Sequence, residues 1–455
     1  MTEESNPSAR PTATPEKPDV PPPQAHPLSD GEQTQNILIY GAITGLFYLA
    51  APVLYVGIAQ AALLHKLEAG STLANLPASV YSWVTPVAVL VVWLLPKVRE
   101  LRLLLVGSQL LEAAMGSVVG LSLLFAPRWT IAAVVLHAGV LGCANGVAQT
   151  ALWELLGRGI SASRRGQALA LAFGGGPVLA MVGSLAAQLT IEGEAFGVRI
   201  AATSYPWNFA ALFFATTPIM LIAAVLAARF IVPLPKRDVA RQPFVAGIFG
   251  GFGRFFFYPP ILITIIAYVL VYSADNAIMP NVILHAETAI GGDSEQYVGY
   301  AHFFRFGFKV VAGFALGWLL TRTHPKAGLL VTAGLAIAGV TWALFVPGKA
   351  YLVGFGLLGA GELFGVYYYN YILCCSPKSR VRRNMAFMAM MNVPVGVAPV
   401  LFGAISEYSG LRSSFCVAIV LAALAMLLAG LLLPRHPQPC PADMDPSDLE
   451  AAAAS

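Results

Sequence analysis

Long apolar runs alternate with short polar segments along most of the chain. A transmembrane helix needs about 20 mostly apolar residues to cross the hydrocarbon core of a bilayer, and successive runs meet this requirement. We predict spans at about 36–60, 73–95, 101–125, 130–157, 166–190, 207–232, 259–284, 296–321, 326–346, 350–375, 384–408 and 412–434. The pattern therefore predicts an all-α integral membrane protein with about 12 transmembrane helices.

Composition supports the membrane class. Of the 455 residues, 57% are hydrophobic and only 11% are charged, whereas soluble domains carry about 25% charged residues. The formal net charge of +4 is too small to indicate a nucleic-acid partner. The cysteines lack metal-ligand spacing, so we expect free thiols, no metal site and no cofactor.

The loops between the spans differ in basic residues. Sixteen Lys and Arg residues fall in the loops on one side of the predicted spans, against five on the other side. Because cytoplasmic loops carry the excess of basic residues, both termini are predicted to be cytoplasmic. We expect a multi-pass protein of the plasma (inner) membrane.

Polar segments divide the chain into regions. Residues 1–35 and 435–455 are predicted to be disordered cytoplasmic tails, because they cannot bury enough apolar surface to order themselves. Between them, 36–232 and 259–434 each hold six predicted spans, and 233–258 forms a cytoplasmic linker.

A weak internal repeat supports the same division. Gly142-Cys143-Ala144-Asn145-Gly146 in the fourth span is matched 217 residues later by Gly359-Ala360-Gly361-Glu362-Leu363 in the tenth. Parallel repeats about an axis along the membrane normal are an architecture of transporters.

Two motifs carry a resemblance to a known family. The segment from Gly317 through Arg322 to Lys326 resembles the Gly-x-Leu-x-Asp-Arg-x-Gly-Arg-Lys loop of the major facilitator superfamily, with Thr321 in the aspartate position. Gly176-Pro177 is similar to a helix-bending motif of antiporters in that superfamily. The resemblance covers about residues 36–434.

The resemblance implies two pseudo-symmetric six-helix halves and secondary active transport of a small-molecule substrate by alternating access. It also implies that the first, fourth, seventh and tenth spans line a central cavity. We expect the protein to act as a monomer in the lipid bilayer.

The seventh span presents one polar face. Tyr268, Tyr272, Asp275 and Asn276 share a side of the helix, which the resemblance directs towards the cavity. Asp275 is expected either to take part in proton coupling or to form an ion pair with a neighbouring helix, since ionisable groups at bilayer depth are costly.

In the tenth span, Glu362 lies among glycines and Tyr369 belongs to a tyrosine cluster. Close helix packing at the glycines would desolvate Glu362 and favour its neutral form. Glu362 is therefore the first candidate for the coupling proton and Tyr369 a candidate for the cavity. Most of the tyrosine cluster has the alternative interpretation of an interfacial aromatic belt.

The eighth span carries a basic stripe of His302, Arg305 and Lys309. The stripe either forms salt bridges with Asp275 and Glu362 or binds an anionic group of the substrate, and we favour salt bridges. We expect Arg305 or Lys309 to hold Asp275 in its ionised form.

The fourth span has a polar face that shifts gradually around the helix axis. Its residues His137, Asn145 and Gln149 are further cavity candidates. The alternative for His137 is a hydrogen-bonded packing residue. Glu112 of the third span is available to pair with it.

These features favour a secondary active transporter of a small polar organic solute, coupled to protons. An alternative within transport is efflux of amphipathic compounds by proton antiport. An enzyme is not expected, because the histidines form no i, i+4 metal pair and no phosphate-binding loop appears. A receptor, the remaining class, would move no solute.

Overall fold

The computed structural model describes residues 28–95, 97–161, 164–201, 203–233, 243, 252–376, 384 and 387–438. Most of the two predicted tails and of the predicted linker lies outside these residues.

The first half of the chain folds into six spans. They comprise Asp30–Leu49, Ala51–Leu54 and Ile58–Lys66 (span 1), Ser71–Val84 and Val87–Leu94 (span 2), Leu101–Phe125 (span 3), Thr130–Gly159 (span 4), Arg165–Glu192 (span 5) and Trp207–Ala228 (span 6). A two-residue hairpin after span 5 pairs Glu194–Ala195 with Val198–Arg199 in antiparallel register.

The second half repeats this plan. Its spans comprise Pro259–Asp275 and Met279–Ile290 (span 7), Val298–Arg322 (span 8), Pro325–Phe345 (span 9), Val353–Gly361 and Phe364–Cys374 (span 10), Asn392–Val395 and Val397–Ser409 (span 11), and Leu411–Leu432 (span 12). A short helix, Phe252–Phe257, precedes span 7 within the predicted linker.

Within the described residues, spans 2 to 12 supply eleven segments long and apolar enough to cross a membrane. Span 1 lies along span 5 in the same direction. Gly41 abuts the side chain of Leu171, and Gly183 abuts the backbone of Leu49. The two helices therefore run parallel over this length. Span 1 therefore forms the twelfth segment of an all-α bundle.

Span 1 begins earlier than predicted. The structure starts the helix at Asp30, so the prediction of a tail to residue 35 is wrong for its last residues. Ser29 and Glu32 form a capping box that satisfies free backbone N–H groups at the helix start. This polar first turn carries no hydropathy signal, which explains the error.

Several spans are broken at an intermediate depth. Span 1 breaks between Tyr55 and Gly57, span 7 between Asn276 and Ile278, and span 10 at Glu362. Binding sites of transporters are typically formed where spans are interrupted in this way.

The halves meet along span 2 with span 11 and along span 5 with span 8. The end of the bundle at which span 1 begins is called the basic end. The other end is called the opposite end. At the opposite end, His65 lies 3.1 Å from Glu287, and the Lys66 Nζ atom donates to Glu295 at 2.5 Å. These contacts tie the two halves together at the opposite end.

Candidate functional site

The breaks in spans 7 and 10 bring two carboxyl groups to the centre of the bundle. Asp275 is the last residue of the first helix of span 7, and Glu362 directly follows the first helix of span 10. Gly361 lies against Asp275, because a Cβ at Gly361 would lie 2.5 Å from the Asp275 Oδ1 atom. The small residue thus admits the aspartate beside the span 10 backbone.

Glu362 forms ion pairs with both basic residues of span 8. Arg305 donates from Nε to Oε1 of Glu362, and Lys309 donates from Nζ to Oε2. The side chains of Arg305 and Glu362 are only 2% and 4% exposed, and that of Lys309 is 11% exposed. Charge-assisted bonds of this kind satisfy an otherwise costly buried carboxylate.

Asp275 has a different environment. It is fully buried, and neither carboxylate oxygen has a hydrogen-bond partner among the described residues. The expectation that Arg305 or Lys309 pairs with Asp275 is therefore wrong, since both cations bind Glu362. The physical reason is the break in span 10, which leaves Glu362 facing span 8.

His302 completes the basic stripe of span 8 but does not join the ion pairs. Its ring is fully buried, neither ring nitrogen has a described partner, and it stacks on Phe306 with ring centroids 6.1 Å apart. A cationic imidazole there would be uncompensated next to Arg305.

An aromatic ring from span 1 covers the ion pairs. The Tyr55 ring centroid lies 5.3 Å from the Arg305 guanidinium carbon and 5.6 Å from the Lys309 Nζ atom. Tyr55 also packs edge-on against Phe306 at 5.1 Å. Sequence reasoning did not select Tyr55, which lies two residues before the φ-positive Gly57.

The aromatic residues of the predicted polar face of span 7 pack against span 10. Tyr268 is buried and Tyr272 half-buried, and both pack against Phe364 of span 10 at 5.8 and 5.0 Å. Tyr369 approaches Tyr268 at 5.8 Å, so it belongs to the same aromatic group. Asn276 is half-buried at the helix break.

Span 4 contributes a neutral polar pair. The Asn145 Nδ2 atom donates to the Tyr81 hydroxyl at 2.5 Å, and the exposed Gln149 donates to Asn145 at 3.5 Å. Tyr81, from span 2, was not selected from the sequence.

His137 and Glu112 do not form the pair that seemed available. Both side chains are fully buried, and none of their nitrogen or oxygen atoms has a described hydrogen-bond partner. The His137 ring instead meets the edge of Phe213 at 5.5 Å. His137 therefore lies in a packing environment, and Glu112 lies near Tyr81.

The loop motif and the glycine–proline motif have local packing partners. Lys326 donates to the carbonyls of Gly430 and Leu433 at 2.6 and 2.8 Å, which ties span 9 to span 12. Arg322 lies over the Trp318 ring at 5.7 Å. Gly176 abuts the Tyr48 ring. Pro177 lies within the span 5 helix and Gly317 within the span 8 helix.

The sequence model of the Major Facilitator Superfamily matches residues 264–444. No curated protein sequence matches this chain.

Solved transporter structures share the fold over most of the chain. One is a bacterial homologue of the human lysosomal transporter Spinster, inward-facing and unoccupied, with a TM-score of 0.66, 12% identity, and coverage of 89% of this chain and 98% of that chain. A D-xylose–proton symporter matches with a TM-score of 0.64 and 12% identity, and the match covers 89% of this chain and 98% of that chain. The fucose:proton symporter FucP of E. coli matches with a TM-score of 0.60 and 14% identity, and the match covers 88% of this chain and 98% of that chain.

Identities this low establish the fold alone, and the sequence match covers residues 264–444. Together they show a multi-pass membrane protein with the fold of major facilitator superfamily transporters.

Proposed function

We propose that this protein is a proton-coupled secondary active transporter of a small polar organic solute, and that Asp275 is the residue that carries the proton. The observation that supports the proposal most is the contrast between the two central acids. Glu362 is bound by two cations, whereas Asp275 is buried beside it without a described partner.

The contrast assigns different roles to the two acids. A buried carboxylate without a partner costs several kcal/mol, so the neutral acid is the stable form of Asp275 in this conformation. Glu362 is stabilised as an anion by Arg305 and Lys309. Of the two candidates, Asp275 is the group whose protonation can change during transport, and Glu362 is a fixed counter-ion.

The contacts between the halves support alternating access. His65–Glu287 and Lys66–Glu295 hold the opposite end closed. Asn75 donates to Asn281 across the halves at 2.7 Å. If the basic end is cytoplasmic, as the loop charges predict, this is a state closed to the outside. Rocking of one half against the other about the central breaks would then open the opposite end.

The charged centre favours a polar solute over the amphipathic cargo of the efflux alternative. An apolar ligand offers no polar group that could interact with Arg305, Lys309 or Glu362. Two structural neighbours are named as sugar–proton symporters, which supports proton coupling by analogy of fold.

The test begins with a solute screen. A solute that binds only the folded protein raises its melting temperature, and each such solute is then tested for uptake into proteoliposomes under an inward proton gradient. Wild-type protein should accumulate it. Asp275→Asn mimics the protonated acid, so this variant should exchange labelled for unlabelled solute but lose gradient-driven accumulation.

The matched control is Glu112→Gln, which neutralises another fully buried, unpartnered acid in the first half. This control should accumulate solute like the wild type. Unchanged accumulation by Asp275→Asn would refute Asp275 as the coupling site, and accumulation that ignores the pH gradient in the wild type would refute proton coupling.

A further inference from the structure

The central cluster has more positive than negative charge when Asp275 is neutral. Arg305 and Lys309 contribute two positive charges, and Glu362 contributes one negative charge. His302, the remaining titratable group of the stripe, is buried without a described partner. The cluster is therefore one positive charge in excess whenever Asp275 holds a proton, and balanced when it does not.

A buried excess charge is unfavourable unless another charge balances it. We propose, building on the proton-coupled transport above, that the substrate is a small organic anion whose charged group binds at Arg305 and Lys309. The site then binds one anion together with one proton. Charge balance is the physical link between them, because the bound anion neutralises the cluster only when Asp275 holds its proton.

The surroundings of the cations suit such a ligand. Lys309 keeps 11% of its side chain exposed, so it is the cation that a ligand can approach. Tyr55 is half-buried with its ring over both cations, and Tyr272 is half-buried and lies near Glu362 and Arg305. These rings offer an apolar wall to the organic part of the anion and hydroxyl groups to its polar part.

The proposed coupling between the anion and the proton predicts the direction in which pH changes the anion affinity. The anion binds more tightly when Asp275 is neutral, and a lower pH favours the neutral acid. Anion affinity should therefore fall as pH rises, by at most about tenfold per pH unit for one proton bound with each anion. The charged groups that face Asp275 from the other spans, Arg305 and Lys309 on span 8 and Glu362 on span 10, are mutually paired.

The first experiment compares benzoate with benzamide, which has a similar shape and no charge, as ligands that raise the melting temperature of the purified protein. Glu362→Gln removes the internal counter-ion of Arg305 and Lys309. This variant should therefore be stabilised more by benzoate than the wild type is, with at least tenfold tighter apparent binding, and benzamide should have no such effect.

The matched control is the charge-free variant Arg305→Gln/Lys309→Gln/Glu362→Gln, in which benzoate and benzamide should act alike. If Glu362→Gln does not fold, Lys309→Gln/Glu362→Gln keeps one unpaired cation and should show the same preference. Equal effects of the two probes on a folded variant with unpaired cations would overturn the proposal. So would an undiminished benzoate effect on the charge-free variant.

The second experiment measures benzoate affinity against pH for each protein that binds it, with and without Asp275→Asn. The substitution should keep the affinity high and make it independent of pH, whereas His302→Gln should leave the pH dependence in place. A pH dependence that survives Asp275→Asn, or is lost in His302→Gln, would overturn the link to Asp275.

These binding measurements need no proton gradient. Anion binding without gradient-driven uptake would refute the proposed function alone, and gradient-driven uptake of uncharged solutes alone would refute only this inference.

Discussion

The two halves place a polar pair at the same position of the repeat, but with different chemistry. In the first half, Asn145 of span 4 donates to the Tyr81 hydroxyl of span 2. In the second half, the residue 217 positions later is Glu362, which binds Arg305 of span 8. A neutral hydrogen bond in one half corresponds to a charged cluster in the other.

The packing beneath the two pairs is also the same. Gly142, three residues before Asn145, lies against the backbone of Tyr81, and Gly359 lies in the same way against the backbone of Arg305. The repeat therefore conserves close helix contact through glycine and changes only the side chains placed on it. The comparison teaches that the scaffold is shared between the halves, while the central buried ion pairs of Glu362 lie in the second half.

The largest expected difference between the halves concerns loss of the pair itself. Glu362→Gln leaves Arg305 and Lys309 without their counter-ion, and breaking a buried ion pair costs about 3–5 kcal/mol. Asn145→Ala removes a neutral hydrogen bond, which is worth about 0.5–1.5 kcal/mol. Thermal unfolding of the purified variants should therefore show a much larger loss of stability for Glu362→Gln.

The charge-free triple variant described above provides the control for this first prediction. It leaves no buried charge unpaired, so its stability should recover towards that of the wild type. Equal losses for Glu362→Gln and Asn145→Ala would remove the energetic distinction between the halves.

A smaller effect tests the shared scaffold. Gly359→Ala and Gly142→Ala should each destabilise the protein by about 1–3 kcal/mol, because the new methyl group overlaps backbone atoms that cannot rotate away. Gly365→Ala in span 10 is the matched control, since no atom lies within 4 Å of its Cβ position. If the three variants unfold at the same temperature, the close contacts do not support the two pairs.

Most of the spans could be predicted from the sequence. Span 3 is predicted at 101–125 and observed at Leu101–Phe125, and span 9 is predicted at 326–346 and observed at Pro325–Phe345. Hydropathy decides these segments because the bilayer core requires continuous apolar helix. The start at Asp30 was missed because capping, not hydropathy, determines it.

The site could be predicted only as a set of residues. The i, i+4 spacing of Arg305 and Lys309 establishes a common face, but helical spacing does not say which acid that face reaches. The choice of Glu362 over Asp275 depends on the break in span 10 and on the contact at Gly359, which are tertiary features. Tyr55 was missed because a tyrosine in an apolar run has no periodic signature of its own.

The central claim is that Asp275 holds a proton while Glu362 is ionised, and infrared difference spectroscopy tests it most directly. A protonated carboxyl group has a C=O stretching band that a carboxylate lacks, and Glu112→Gln removes the contribution of the other fully buried acid that lacks a partner among the described residues. In that background, Asp275→Asn should abolish the buried carboxylic-acid band and Glu362→Gln should leave it unchanged. Loss of the band in Glu362→Gln, with the band retained in Asp275→Asn, would contradict the account.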